Sequence, residues 1–191
     1  MKTNPLNNDI MQRYRYLYTI LVLLCLQLVA TAQPICKVRT FGTENGLPAS
    51  VISGMTQSTD NLIWITTWNG LSCYDGYRFT TFRNIPGHDS QLTTNHLISV
   101  MPATDGNLWT TAYTDDVYMF DSHKCQYVNV SALITKKFQS KFSLRKIYPL
   151  ANGDTWVVGK YNEHYHMAKG DSDSDRDIRR FTLPGTLNKV V

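Results

Sequence analysis

The sequence predicts an all-β fold: about three β-propeller blades of four antiparallel strands each, an incomplete propeller, after an N-terminal signal helix. Three observations carry this. One unit recurs: Asp60, Asp105 and Asn152 each stand four residues before a Trp, at Trp64, Trp109 and Trp156. The Trp spacings are 45 and 47 residues, and a period in the forties with a turn signal ahead of an aromatic β-run marks propeller blades. Composition agrees, since 12% aromatic and 18% charged residues favour strands and exclude a disordered tail or a coiled coil.

The first 32 residues read as a signal peptide. Met11-Gln12-Arg13-Tyr14-Arg15 is basic, Leu17 to Ala30 carries no charge, and Ala30-Thr31-Ala32 is a small-x-small site before Gln33. A retained membrane anchor is the rival reading, but the apolar run falls short of the roughly 20 residues a span needs. Bulky Leu24 before Cys25 argues against a lipoprotein acceptor, and Met11 is an alternative start. Residues 33–45 form a lead-in, and 46–191 the partial propeller. Cleavage removes Lys2, Arg13, Arg15 and Asp9, lowering the net charge from +4 to +2 with 16 basic and 14 acidic residues left. That balance gives no nucleic-acid footprint. The expected location is periplasmic, with membrane contact through the signal segment or a parent receptor.

Blade one spans about 46–84. Its strands are expected at Val51–Met55, Leu62–Thr67, Leu71–Tyr74 and Tyr77–Phe82, with turns at Ser58–Asn61, Asn69-Gly70 and Asp75-Gly76. Blade two spans about 92–130: Leu97–Met101 echoes Val51–Met55, and Phe120-Asp121 falls 46 residues after Tyr74-Asp75. Blade three, about 142–181, has a clear first turn at Asn152-Gly153 and a polar, less periodic outer half from Tyr161 to Arg180. The repeated turn residues Asp60, Asp105 and Asn152, with Trp64, Trp109 and Trp156, are expected to be structural, the Trp rings packing between blades.

Chemistry-bearing patterns are sparse. Cys36, Cys73 and Cys125 lie at wide spacing without a disulfide framework or zinc motif, and read as buried, inert thiols. His164 and His166 share a strand face but lack an obvious third metal ligand. Asp171, Asp173, Asp175 and Asp177 alternate, yet Arg176 and Thr182 stand where a calcium loop requires Gly and Glu. No nucleophile elbow occurs. No cofactor, metal site or catalytic residue is therefore expected.

Asn45-Gly46-Leu47-Pro48 and the run from Trp64-Ile65-Thr66-Thr67-Trp68-Asn69-Gly70 to Tyr74-Asp75-Gly76 resemble the two-component regulator propeller repeats. The resemblance covers about residues 38–130 well and 142–181 loosely. Asp115-Asp116-Val117 replaces the usual Gly-Leu pair, and blade three lacks both the Gly-Leu and Tyr-Asp-Gly elements. The resemblance implies the periplasmic sensor region of a hybrid two-component system of the Bacteroides type. Such systems carry two seven-bladed propellers, an immunoglobulin-like domain, a membrane helix and a cytoplasmic kinase with an attached regulator, and detect glycan breakdown products. On that reading the chain is the non-catalytic N-terminal portion of such a sensor, any kinase lying downstream. A free-standing exported interaction module and a fragment of a propeller glycosidase or lyase are the alternatives.

Ligands of propellers bind on the face built by second-to-third-strand loops and blade-to-blade loops. There the sequence places Trp68, Asn69, Tyr113 and Asp115, aromatics beside polar groups, as the candidate site for an oligosaccharide. Further blades or a second copy are the other expected partners, because three blades leave open edges.

Overall fold

The computed structural model describes residues 5–29, 37–87, 91–169 and 177–182. The chain divides into two units, Met1–Thr40 and Phe41–Val191. The first holds helix α1, Pro5–Val29. No helix among the described residues is long and apolar enough to cross a membrane. The expected cleavage site at Ala30–Ala32 and Cys36 lie outside the described residues.

The second unit is three four-stranded antiparallel sheets, each with its strands in chain order. The first contains β1 (Ile52–Gln57), β2 (Ile63–Thr67), β3 (Gly70–Tyr74) and β4 (Phe79–Phe82). The second contains β5 (Leu97–Pro102), β6 (Leu108–Ala112), β7 (Val117–Asp121) and β8 (Gln126–Asn129). The third contains β9 (Leu144–Pro149), β10 (Thr155–Gly159), β11 (Glu163–Met167) and β12 (Ile178–Thr182). The fold class is the one the repeat predicts: propeller blades.

Turn chemistry sets the hairpins. The first turn of each blade has one residue in the left-handed region at the same repeat position: Asn61 (φ 64°), Gly106 (φ 84°) and Gly153 (φ 93°). Asn and Gly tolerate that region best. Asp105 Oδ1 accepts from the Asn107 amide at 3.1 Å, and Asn152 Oδ1 from the Asp154 amide at 3.1 Å. In blade one the Ser58 hydroxyl donates to Asp60 instead, and the same oxygen accepts from Trp64 Nε1 at 3.0 Å.

The second turns repeat the device with Gly70 (φ 107°), Asp115 (φ 63°) and Asn162 (φ 65°), spaced 45 and 47 residues apart. Asp115 thus occupies the backbone slot of Gly70, which explains how blade two dispenses with the Gly-Leu pair. The third turns are held by carboxylates. Asp75 Oδ1 accepts from the Tyr77 and Arg78 amides, both at 2.8 Å, and Asp121 Oδ1 from the His123 and Lys124 amides at 3.0 and 2.9 Å. The Arg78 and Tyr77 amides favour the charged carboxylate, so the pKa of Asp75 lies below its ordinary value.

Two apolar layers join the blades. Trp64, Leu71 and Cys73 of blade one pack with Leu97, Val100, Leu108, Tyr118 and Phe120 of blade two. Trp109, Val117, Met119 and Val128 of blade two pack with Ile147, Val157, Tyr165, Met167 and Ile178 of blade three. Period-two alternation therefore buries both faces of blade two, and every residue of β7 is buried. Burying each large side chain stabilises by about 1.5–3 kcal/mol. Near the blade-to-blade approach, Gly54 lies so close to blade two that an added Cβ would stand 3.3 Å from Ser99 Cα. Ser53 Oγ donates to the Leu97 carbonyl at 2.6 Å beside it.

Helix α2 (Val130–Phe138) fills the step between blades two and three, where the sequence suggested no element. Asn129 caps it, its Oδ1 accepting from the Ala132 amide at 2.9 Å. Ile134 drops into the second apolar layer. The polar outer half of blade three is also ordered as strand. β11 pairs with β12 from Glu163 opposite Thr182 to Met167 opposite Ile178. Tyr165, Met167 and Ile178 are buried against blade two, while His164 and His166 alternate onto the other face. The polarity is one face of a strand rather than a loss of period. Asp171, Asp173 and Asp175 lie outside the described residues. Asp177 accepts from Arg179 Nε at 2.8 Å.

Candidate functional site

The β2–β3 and β6–β7 turns bring Trp68 and Tyr113 to the same end of neighbouring blades. They do not touch directly. His96, at the entry to β5, lies between them: its ring centroid is 4.6 Å from that of Trp68 and 4.9 Å from that of Tyr113, the latter pair stacked at 26°. Trp68 is 56% and Tyr113 57% exposed, so the row presents ring faces and edges to solvent. The backbone holds it, since the Tyr113 amide donates to the His96 carbonyl at 3.2 Å. His96 is a member of this candidate surface that sequence reasoning missed. It directly follows the 84–95 crossover, 17 residues before Tyr113, with no local signal beyond its position ahead of a strand.

The polar members of the expected site are engaged inside the chain. Asn69 donates from Nδ2 to the Pro48 carbonyl at 3.1 Å, tying the segment ahead of β1 to the β2–β3 turn. Phe41 of the lead-in packs on Tyr74 and Phe79, with centroids 5.1 and 5.7 Å away. Asp115 bridges to blade three. Its carboxylate accepts from Lys160 Nζ and from Ser143 Oγ at 3.3 Å, and its carbonyl accepts from the Leu144 amide at 3.0 Å. The structure therefore gathers Trp68, His96 and Tyr113 as an open surface, and uses Asn69 and Asp115 as clamps at its two ends.

The repeated positions divide differently. Trp64 is 3% and Trp109 0% exposed, each beneath the following blade, while Trp156 is half-buried against His166 and Phe181. His166 Nε2 lies 3.2 Å from Asp154 Oδ2. The pKa of Asp154 is lowered by the Lys169 amide, Asn152 and His166, against a partial burial that raises it. His164 faces Asn162 at 3.4 Å. Among the described residues no group of three His, Cys, Asp or Glu side chains is placed to hold a metal ion. Cys73 is buried as expected, and burial first, then the Asp60 and Asp75 charges, push its thiol up to about 11; Cys125 is exposed instead, because it stands in the third turn of blade two rather than on a strand.

Fold and loop surface together define the class: an arc of propeller blades with an aromatic row on the face of its inter-strand and inter-blade loops. Solved structures of the same architecture include extracellular domains of hybrid two-component systems from Bacteroides thetaiotaomicron. One, from the system BT3049, superposes with a TM-score of 0.56 at 20% identity, over 68% of this chain and 18% of its own length. Another, from BT4673, gives 0.54 at 14% identity, over 80% of this chain and 19% of its own. The chain thus spans about a fifth of the length of these sensor domains. At these identities the likeness is one of fold. No protein-family model and no curated protein sequence matches the chain.

Proposed function

We propose that this chain is a non-catalytic portion of an exported sensor propeller, belonging to a hybrid two-component system that detects glycan breakdown products in the periplasm. The observation that carries the reading is the solvent-facing row Trp68–His96–Tyr113, held by backbone bonds on loops of a rigid blade scaffold. Aromatic surfaces with polar neighbours suit sugar rings, whose C–H faces are apolar and whose edges are hydroxylated. The likeness to extracellular domains of hybrid two-component systems supports the sensor role. It also fits an absence of catalysis, any phosphotransfer residing in a kinase outside these residues.

Calorimetry of the chain against a panel of neutral and acidic oligosaccharides tests this. Binding that Trp68→Ala and Tyr113→Ala each weaken supports the site. Tight binding indifferent to both substitutions places the ligand elsewhere, and hydrolysis of a glycan or autophosphorylation of the purified chain refutes the class.

A second reading, an exported module that docks another sheet, is favoured by one observation. The outward face of blade three exposes Phe181 and Tyr148 and leaves Trp156 half-covered, where the equivalent faces of blades one and two carry a neighbour. A further blade or a second copy is the proposed occupant, and sedimentation of the chain across concentrations reads the latter.

A further inference from the structure

We infer that the aromatic row continues into a polar subsite for a neutral sugar ring, stacked on Tyr113 and read at its hydroxyls by Asp115 and Lys160. This rests on the sugar-binding reading above and names the residues that select the sugar and its charge class.

Repeat position is the first ground. Trp68, Tyr113 and Lys160 follow one another at 45 and 47 residues, the spacing of the Trp anchors, so Lys160 is the counterpart in blade three of the two rings. The backbone agrees. The Lys160 amide donates to the Ser143 carbonyl at 2.9 Å, as the Tyr113 amide donates to the His96 carbonyl at 3.2 Å. Ser143 is therefore the counterpart of His96, and each stands directly ahead of an inner strand. Between Trp68 and Tyr113 that step is filled by an imidazole. Between Tyr113 and Lys160 the same step carries only the short side chain of Ser143.

Exposure is the second ground. His96 stacks on one face of the Tyr113 ring, and among the described residues no other ring packs on Tyr113. Tyr113 is also more than half exposed. A pyranose, flat and apolar on its C–H face, suits the step that an imidazole fills one blade earlier.

Chemistry is the third. Asp115 lies two residues from Tyr113 in the same turn, and Lys160 meets it from blade three. Their side chains are 42% and 48% exposed, so a ligand can reach both. Lys160 Nζ and Ser143 Oγ both bond to Asp115 Oδ2, which leaves Oδ1 able to accept, while an ammonium has three N–H groups to donate. Acceptor and donor side by side suit two adjacent ring hydroxyls, and bonds to charged groups are the strong ones. The signs around the pair balance. Asp116 accepts from Thr114 Oγ1 at 2.7 Å and Glu163 from the Tyr161 amide at 3.1 Å, in the same two turns as Asp115 and Lys160. Lys141 and Arg145 flank Ser143 two residues either side. Three carboxylates thus stand against three cations. An acidic sugar costs more to strip of water than a neutral one and gains no net attraction here in return.

The test is calorimetry of the full chain against β-1,4-linked tetrasaccharides of glucose, mannose and galactose, against tetragalacturonate, and against the O-methylated form of whichever neutral sugar binds best. We expect that neutral sugar to bind tighter than tetragalacturonate, and O-methylation to weaken it about tenfold or more by removing the hydroxyl donors. Ser143→His, which puts the counterpart residue into the step, should weaken it about tenfold or more with the melting temperature held. Lys160→Met should do the same through lost hydrogen bonds. Should Lys160→Met prove unstable, the methylated sugar asks the same question of the unaltered chain. Binding that Trp68→Ala and Tyr113→Ala weaken, but that Ser143→His and O-methylation leave unchanged, overturns the subsite and leaves the aromatic row intact. Tighter binding of tetragalacturonate overturns the neutral selection. Failure of every oligosaccharide to bind overturns the subsite and the sugar reading together.

Discussion

Trp64, Trp109 and Trp156 occupy one position of the repeat, yet the first two are sealed beneath the next blade and the third is half-open. The residue paired with each across the sheet follows the same division. Trp64 stands opposite Cys73, Trp109 opposite Met119, and Trp156 opposite His166. Two pairs further along, on the same face, Leu71 and Val117 in the first two blades become His164 in the third. The outward face of blade three therefore keeps the aromatic anchor of a blade interface but surrounds it with imidazoles and the Asp154 carboxylate. In a stacked repeat the burial of a residue comes from the neighbouring unit, not from its own, so identical sequence positions differ in energy.

Substitution at the three Trp positions is the strongest way to break that comparison. Trp109→Ala should cost about 3–5 kcal/mol in a denaturant melt, because it empties the layer between blades two and three. Trp64→Ala should cost a similar amount and also remove the Nε1 hydrogen bond to the Ser58 hydroxyl. Trp156→Ala should cost about 1 kcal/mol or less, as expected of a partly exposed ring. Equal losses at all three would mean that blade three is as fully covered as the others.

Gly54→Ala probes the opposite kind of contact, backbone against backbone. The new methyl would lie 2.9 Å from Thr66 Oγ1 and 3.3 Å from Ser99 Cα. We expect a loss of about 1–3 kcal/mol from overpacking, read from the same melt. An unchanged midpoint would show that blades one and two can slide apart freely.

Acid sharpens the contrast between hairpins. Asp75 and Asp154 have lowered pKa values in the fold, so their contribution is present above the ordinary carboxylate value of 3.8 and is lost as pH falls through their lowered values. Asp75→Asn should flatten part of the stability loss below that pH, measured as the shift of the thermal midpoint with pH. An identical acid profile in the variant would remove Asp75 from the account.

The smallest stability effect is expected at the proposed ligand face. Trp68→Ala should move the melt by no more than about 0.5 kcal/mol, since the ring is mostly in water, while weakening sugar binding. The thiols give a parallel check: an alkylating reagent near neutral pH should label exposed Cys125 and spare Cys73, whose thiol is buried and pushed up to about 11. Rapid labelling of Cys73 in the folded chain would show that the first apolar layer opens.

What the sequence determined by itself was local. Period, turn residues and strand alternation needed no partner: the positive-φ positions at Asn61, Gly106 and Gly153 and the amide-accepting carboxylates at Asp75 and Asp121 are set within a few residues. Trp68 and Tyr113 could be placed on one face because equivalent loops of a repeat end at equivalent sites. The tertiary structure decided whatever depends on a second blade. His96 joins the aromatic row from a crossover whose sequence has no period. Asp115, legible as a loop acid, turned out to be a clamp because Lys160 and Ser143 come to it from 28 or more positions away. Helix α2 folds where the sequence shows only a gap between blades, since Ile134 gains its burial from blade two and blade three together. The alternation in β11 was obscured because one of its two faces meets no neighbouring blade among the described residues and is polar. Periodicity records what a residue does in its own strand. Burial and binding depend on what is packed against it, and that information is spread along the whole chain.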